Sequence, residues 1–212
     1  MAARDLRTRL QKRAVRAGVF LSADVAEKLA SYYELLARWN LKINLTAFSD
    51  IDEAIDRLLL EPVIAVRHLP ASGRLLDVGS GGGSPAIPLH FAAPQLALTM
   101  VEVKARKSAF LREAVRALEI GAQVETARYE ELLARPELHE AFSAVSVRAV
   151  RIEARMLKTL QAFLAPTGKL ILFRGPAGPD SPNVMIPSLE WIGTYPLLDS
   201  LQSRISVLSK RH

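Results

Sequence analysis

A glycine-rich segment that directly follows a short apolar run constrains this chain more than any other stretch. The run ends at Asp77, and residues 79–83 then contain four glycines and one serine. Because glycine has no Cβ, such a backbone can adopt positive φ angles and lie directly against a ligand. Ser84 and Pro85 follow, and proline suits the first turn of a helix. The segment therefore predicts the first strand, loop and helix of a nucleotide-binding α/β domain.

Acidic residues on both sides of the loop narrow the choice of ligand. Asp77 stands at the carboxyl end of the predicted strand, where ligands of open α/β sheets bind. Glu102 ends the next apolar run, about 20 residues further on, where an acid can accept hydrogen bonds from a ribose. Ser84 replaces the third glycine of the dinucleotide fingerprint, and Asp77 would repel a pyrophosphate. The pattern thus favours cationic S-adenosylmethionine over NAD.

Alternating apolar runs and amphipathic segments predict an α/β domain over residues 71–212. The first strand is predicted to end at Asp77, and the others to cover 96–101, 122–126, 142–147, 169–173, 191–195 and 204–208. Helices are predicted at 85–91, 106–118, 129–133 and 152–163. We expect a mostly parallel sheet with helices on both faces, and an antiparallel pair of the last two strands at one edge.

The first 70 residues are predicted to form a helical extension, joined to the α/β domain by a hinge at residues 70–73. Helices are expected at 4–17, from a capping Ser22 to about Asn40, and after a capping box of Ser49 and Asp52. The first helix is rich in arginine and includes Arg13 and Arg16. Its basic face either contacts phosphate or is simply solvated, and the sequence pattern agrees equally well with both interpretations.

Composition excludes several classes of chemistry. The net charge of +6 and the pI of about 9.8 favour a polyanionic partner, above all nucleic acid. The chain has no cysteine, which excludes thiolate nucleophiles, disulfides and cysteine-based zinc sites. The four histidines lack metal-ligand spacing, so no metal site is predicted. No apolar run approaches the ~20 residues of a membrane span, and we expect a cytoplasmic monomer.

Several motifs together resemble one known family. They are Trp39-Asn40, Ile43-Asn44-Leu45-Thr46, Asp77-Val78-Gly79-Ser80-Gly81, Arg106-Lys107 with Phe110-Leu111-Arg112, Arg128-Tyr129-Glu130-Glu131 and Val147-Arg148-Ala149. The family they resemble is that of the 16S (small-subunit) ribosomal RNA guanine-N7 methyltransferases, also called glucose-inhibited division protein B. Many methyltransferases share the glycine loop, but few share the Asn-Leu-Thr motif upstream of it. The likeness spans roughly residues 30–175.

The resemblance implies a fold and a set of site residues. The fold is the Rossmann-like, seven-stranded, mostly parallel sheet of the class I S-adenosylmethionine-dependent methyltransferases. The residues implied to bind the donor are Asp77, Gly79, Gly81, Gly83, Ser84, Glu102, Tyr129, Glu130 and Arg148. Among them, Tyr129 and Glu130 would contact the adenine, and Arg148 would lie near both donor and substrate. Contacts to 16S ribosomal RNA or the small ribosomal subunit are expected from Arg106, Lys107, Arg174, Arg13 and Arg16.

The chain departs from the family's usual pattern at four places. Glu102 replaces an aspartate, Ser84-Pro85-Ala86 replaces a glycine-proline-glycine-like element, Arg57-Leu58 replaces Arg-His, and Arg174-Gly175 replaces Lys-Gly. The last two concern the substrate side of the site rather than the donor side.

The implied reaction needs no general base. The guanine N7 lone pair is free at neutral pH, which agrees with a sequence that offers no obvious catalytic dyad. We therefore expect catalysis by positioning of donor and acceptor, with Arg148 the candidate catalytic residue. Other functions also fit the residues: methylation of a small molecule or protein, an NAD(P)-dependent oxidoreductase, and a donor-binding protein without catalysis.

Overall fold

A computed structural model of the 212-residue chain describes residues 3–47, 50–149, 151–176 and 184–211. Its strands are β1 (Gly73–Val78), β2 (Leu96–Val101), β3 (Ala122–Glu125), β4 (Phe142–Arg148), β5 (Leu164–Arg174), β6 (Leu189–Pro196) and β7 (Arg204–Lys210). They form one seven-stranded sheet in the order β3-β2-β1-β4-β5-β7-β6. Strands β1 to β5 run parallel, and β7 is antiparallel to both of its neighbours. The predicted fold class is confirmed.

The helices lie before the sheet and between its strands. They are α1 (Ala3–Arg16), α2 (Ala23–Asn40), α3 (Ile51–Ile55), α4 (Glu61–Ala65), α5 (Ala86–Ala92), α6 (Ala105–Ala117) and α7 (Ala154–Phe163). A π-helical turn, Asp56–Leu60, joins α3 to α4. The segments Val66–His68, Tyr129–Ala134, Pro136–Leu138 and Asp199–Leu201 are short 3₁₀ helices.

The predicted helix caps are partly confirmed. The Ser22 hydroxyl accepts a hydrogen bond from the Val25 N–H over 3.2 Å and caps α2 as expected. The cap of α3 is Asp50, which accepts from the Glu53 N–H over 2.8 Å. The cap lies one residue later than in the predicted capping box of Ser49 and Asp52; Ser49 is outside the described residues, and Asp52 pairs with Arg9 of α1.

Strand order places a crevice between β1 and β4. The chain leaves β1 toward β2 on one side and later returns to β4 on the other, which makes this the topological switch point of the sheet. Val78 at the end of β1 is in register with Val101 of β2 and Val147 of β4. Residues that follow these three positions therefore meet at one edge of the sheet.

The N-terminal helices share a hydrophobic core with one face of the sheet. Leu6 and Leu10 of α1 and Leu29 of α2 are fully buried in the same cluster as Leu75 of β1 and Phe110 of α6. The other face of the sheet packs against α7 through a second cluster. The predicted domain boundary near residue 70 stays a prediction, because residues on both sides of it belong to the same hydrophobic cluster.

Strand β5 is longer than the sequence predicted. It begins at Leu164, which pairs with Phe142, and its register against β4 shifts before Lys169 pairs with Ala144. Pro166, Thr167 and Gly168 within this stretch form an irregularity of the strand, although they are typical of a loop.

No helix in the described part of the chain has both the length and the apolarity that crossing a membrane requires. The same residues hold no cluster of three or more potential metal ligands.

Candidate active site

A cavity of about 560 Å³ opens above the crevice between β1 and β4. The glycine loop lies on its sheet side, and α2, the segment after it and the π turn contribute the opposite wall. The residues that line it are Tyr32, Leu36, Leu45, Thr46, Arg57, Leu58, Gly79, Ser80, Gly81, Gly82, Ser84, Glu102, Lys107, Arg148, Ala149, Phe173, Arg174 and Gly175. Its volume is that of a site for a small organic ligand.

The glycine loop adopts a conformation that its sequence requires. Gly79, Gly81 and Gly83 have φ angles of +75°, +54° and +89°. A Cβ on Gly83 would lie 2.7 Å from the Ile87 side chain, so this glycine also permits close packing of the loop on α5. Gly83 itself does not line the cavity, whereas Gly79 and Gly81 do.

Glu102 holds the loop in place. Its side chain is only 6% exposed, and one carboxylate oxygen accepts from the Gly81 N–H over 2.9 Å. The other oxygen accepts from the Lys104 N–H over 2.8 Å. Glu102 lines the cavity at the end of β2, where a ribose would lie, and each oxygen still has an unused lone pair.

Asp77 lies beneath the loop and does not line the cavity. It is 1% exposed, and its Oδ1 accepts from the Ser146 hydroxyl over 2.5 Å. Its Oδ2 is buried without a hydrogen-bond partner. Burial raises the pKa of this carboxyl above its usual range, and the hydrogen bond from Ser146 opposes that shift. An unpartnered buried carboxylate oxygen next to a glycine loop suits a cationic ligand.

Two polar side chains of α2 fix the opposite wall. The hydroxyl of fully buried Tyr32 donates to the Gly82 carbonyl over 2.6 Å. The Asn40 carbonyl oxygen accepts from the N–H groups of Leu45 and Thr46 over 2.8 and 2.9 Å, and its amide donates to the Thr46 carbonyl over 3.0 Å. The Asn-Leu-Thr motif at residues 44–46 is thus a fixed part of the site.

Arg148, at the end of β4, is the most connected cation of the cavity. Its Nη1 donates to the Arg57 carbonyl and to the Ser84 hydroxyl, each over 2.9 Å, and its Nη2 donates to Glu61 over 3.1 Å. Its guanidinium carbon lies 4.6 Å from the centre of the Phe173 ring. Burial lowers the pKa of Arg148, and the Glu61 carboxylate opposes that effect.

A proline explains why backbone carbonyls are available to this network. Pro62 has no N–H, so it cannot serve as the helical donor to the carbonyls of Arg57 and Leu58 in the preceding turn. The Arg57 carbonyl accepts from Arg148 instead, and the Leu58 carbonyl accepts from the Ser84 hydroxyl over 2.8 Å. The π turn is therefore tied directly to the glycine loop and to β4.

The remaining predicted donor contacts lie outside the cavity. Tyr129 and Glu130 begin the 3₁₀ helix that follows β3, on the same side of the sheet as Glu102, and neither lines the cavity. Hydrophobic packing partly buries Tyr129. Their predicted contact with adenine stays a prediction.

The predicted RNA contacts divide into three groups. Lys107 and Arg174 line the cavity, and Arg174 also donates to the Ser206 hydroxyl over 3.0 Å. Arg106 is exposed and lines a neighbouring cleft that Lys107 also reaches. Arg16 is exposed at the end of α1.

Arg13 has a structural role that its sequence did not indicate. It donates two hydrogen bonds, over 2.6 and 2.5 Å, to Asp56, which is 3% exposed, and it lies 3.0 Å from Asp52. These ion pairs join α1 to the π turn, and the expected contact of Arg13 with RNA stays a prediction.

Two residues of the site, Tyr32 and Glu61, were not predicted from the sequence. Tyr32 is part of the core, and its hydroxyl also holds the loop. Glu61 is a fully buried acid beside Arg57, and its position inside an apolar run is the signal that indicates a buried, paired charge.

Comparison with known proteins decides the family. The family model for GidB, described as rRNA small subunit methyltransferase G, matches residues 25–182. The chain belongs to the GidB family. Its relative from Syntrophotalea carbinolica, a ribosomal RNA small subunit methyltransferase G, is 33% identical over 82% of this chain and 80% of the relative. The protein of the same name from Xanthomonas axonopodis pv. citri is 40% identical over 73% of this chain and 71% of the relative.

Solved structures support the GidB fold assignment. An rRNA methylase from Streptococcus thermophilus superposes with a TM-score of 0.51 at 14% identity, covering 72% of this chain and 95% of that one. A chain of a fibrillarin/Nop5p complex gives 0.53 at 14% identity, covering 71% and 83%. The predictions of a class I methyltransferase fold, of an enzyme and of dependence on S-adenosylmethionine are confirmed. The NAD(P)-dependent alternative is set aside.

The residues of this GidB protein fit S-adenosylmethionine. The glycine loop exposes its backbone to the cavity, Glu102 lines the cavity with lone pairs that would accept from ribose hydroxyls, and the unpartnered Oδ2 of Asp77 lies beneath the loop. A carboxylate there would suit the ammonium and sulfonium groups of the donor.

Proposed function

We propose that the protein transfers the methyl group of S-adenosylmethionine to guanine N7 of 16S ribosomal RNA. The observation that carries this proposal is a cavity whose sheet side is a donor-binding glycine loop and whose lining includes four cations. These cations are Arg57, Lys107, Arg148 and Arg174. Glu102 is the one acid among the described lining residues, and Glu61 behind them pairs with Arg57 and Arg148, so the charge that suits an RNA substrate is that of Lys107 and Arg174.

The lining residues support catalysis by positioning. Glu102 already accepts two backbone hydrogen bonds, and Tyr32 is an unsuitable base because burial raises the pKa of its hydroxyl and its proton is given to Gly82. No histidine is present among the described residues that line the cavity. Guanine N7 has an in-plane lone pair that is free at neutral pH, so it requires no base at the moment of transfer.

Alignment of the donor methyl group with guanine N7 then supplies most of the rate acceleration. When bound, S-adenosylmethionine supplies an electrophilic methyl group on a sulfonium. The loop and Glu102 are assigned to the donor, while Arg148 and Phe173, which contact each other at the ends of β4 and β5 and line the cavity, are assigned to the purine side. Effective molarities of aligned reactants reach about 10⁵ M or more, so positioning alone can account for a large reduction of the barrier.

The remaining predictions complete the proposal. Tyr129 and Glu130 follow β3, the neighbour of β2, and are assigned to the adenine. The substrate is 16S ribosomal RNA or the small ribosomal subunit, and the enzyme acts as a cytoplasmic monomer. Methylation of a small molecule or a protein is the alternative.

A transfer assay separates these substrates. The protein is incubated with methyl-labelled S-adenosylmethionine and, in parallel, with deproteinised small-subunit RNA, with small ribosomal subunits and with a protein fraction free of RNA. We expect label in the RNA of the first two reactions and transfer that weakens steeply as salt rises. Label in the protein fraction, or transfer that does not respond to salt, would contradict an RNA substrate.

A further inference from the structure

A second cleft beside the active site is lined by cations. It has a volume of about 400 Å³, and its lining consists of Lys42, Ile43, Asn44, Lys104, Ala105, Arg106 and Lys107. The first three residues follow α2, and the other four lead into α6. We call these seven residues the basic cleft. None of them is acidic.

The four cations of the basic cleft do not stabilise the described part of the fold through ion pairs. The side chains of Lys42, Lys104, Arg106 and Lys107 form no ion pair with an acid in the described part of the chain. In contrast, three arginines of α1 are paired: Arg7 binds Glu27, Arg9 binds Asp52, and Arg13 binds Asp56. Unpaired cations from two separate segments repel one another, and a bound polyanion would reduce this electrostatic repulsion.

The cleft is continuous with the active site. Lys107 lines both cavities, and its ammonium lies 4.0 Å from the position that a Cβ on Gly81 would occupy. A chain of phosphates that enters the active site at the loop would therefore pass the basic cleft.

Exposed aliphatic side chains flank the same cations. Leu41, directly before Lys42, is 89% exposed, and Val103, directly before Lys104, is 53% exposed. Apolar groups beside cations suit a nucleic acid, which presents bases next to phosphates, better than they suit a small free anion.

We infer that the basic cleft binds the phosphates of the RNA strand that flanks the target nucleotide. This inference rests on the proposed function, since it assigns part of the RNA substrate to this surface. The cleft holds the strand and takes no part in methyl transfer, so its cations act on RNA affinity and not on the chemical step.

Removing the cleft's charge tests the inference. The variant K42A/K104A/R106A keeps Lys107, which lines the donor cavity. Its matched control, R116A/K158A/R211A, removes three exposed cations that lie outside α1 and line neither cavity. The measurements are binding of a deproteinised 16S RNA fragment at several salt concentrations, binding of S-adenosylmethionine by calorimetry, and KM and kcat for RNA.

We expect the cleft variant to lose RNA affinity about ten-fold or more at physiological salt. The slope of log affinity against log salt should fall in magnitude by about 2, because each phosphate contact to single-stranded nucleic acid contributes about 0.7. KM for RNA should rise, while kcat and donor binding stay unchanged and the control resembles the wild type.

Equal RNA affinity and salt slope in the wild type and the cleft variant would overturn the inference, as would an equal loss in the control. Failure of the proposed function looks different. In that case the wild type transfers no methyl group to RNA, while the binding titrations still report whether the cleft holds the strand.

Discussion

Arg148 donates to Glu61 over 3.1 Å at a point where the Glu61 side chain is completely buried. Arg57 lies 3.4 Å from the same carboxylate, so one buried acid neutralises two cations of the active site. Burial of charge is tolerated only when the charges are paired, and here the pairing also orients the guanidinium over Phe173. In the proposed mechanism, Glu61 is therefore a positioning residue that would act through Arg148.

Replacement of Glu61 by glutamine should destabilise the protein by about 3 kcal/mol, because it leaves Arg57 and Arg148 without compensating charge in a buried site. The expected functional effect is a fall in kcat with little change in donor affinity. Chemical denaturation and steady-state kinetics measure the two effects. Glu61→Asp, which keeps the charge, should recover part of both.

The matched control for that substitution is Asp24→Asn, which breaks the exposed pair of Asp24 with Lys28. Exposed helical pairs of this kind contribute about 0.3–0.5 kcal/mol, so the control should remain close to the wild type. If the unfolding free energy of Glu61→Gln is as high as that of the control, the pairing of Glu61 with Arg57 and Arg148 does not stabilise the fold.

Tyr32→Phe tests the link between α2 and the glycine loop. The substitution leaves the Gly82 carbonyl without its donor, so we expect a loss of about 1 kcal/mol of stability. If the free energy of donor binding falls by the same amount, donor affinity should decrease about five-fold. Tyr33→Phe provides the comparison, because the next residue in the helix is only partly buried. Equal donor affinities for both variants would disprove the role of the hydroxyl.

Asp77 gives the fold a pH dependence whose sign follows from its burial. Its pKa in the folded protein is raised above the ordinary value of 3.8, so the folded state binds the proton more tightly than the unfolded chain. Stability without donor should therefore fall as the pH rises from about that value through the raised pKa, and remain lowered above it.

Asp77→Asn removes this effect. The variant should be more stable than the wild type by about 1–3 kcal/mol at a pH above the raised pKa, where the wild-type carboxyl is charged, and should bind S-adenosylmethionine more weakly. Thermal unfolding at a series of pH values together with calorimetry gives both quantities. A variant that is less stable than the wild type throughout the pH series would contradict the assignment of Oδ2 as unpartnered.

The pH dependence of the chemical step tests the absence of a base. Since N7 carries no proton and the described lining residues offer no free base, single-turnover methyl transfer should vary little between about pH 6.5 and 9. Measurement at saturating donor and RNA separates chemistry from binding. A steep ionisation in that range would indicate a titrating catalytic group.

Local patterns predicted most of the fold. The prediction of β2 at residues 96–101 agrees with the observed Leu96–Val101, because an apolar run bounded by polar residues determines a buried parallel strand. The early start of β5 was missed, since Pro166 and Gly168 are turn formers that the sheet here accommodates as an irregularity. Such an outcome depends on the neighbouring strand and not on the segment itself.

The donor side of the site was also accessible to prediction, because the glycine loop and Glu102 lie close together in the chain. The network around Arg148 was not. Glu61 lies 87 residues before Arg148, and their contact depends on how α4 packs against the end of β4. Arg13 shows the same difficulty, since its acid partner Asp56 lies 43 residues away.

The most direct test of the account is the identity of the methylated nucleoside. Deproteinised small-subunit RNA is incubated with the protein and methyl-labelled S-adenosylmethionine, then digested to nucleosides and separated by chromatography with mass detection. We expect the label to appear in 7-methylguanosine, because the proposed acceptor is guanine N7. Label in any other nucleoside, or none in RNA while the protein still binds the donor, would contradict it.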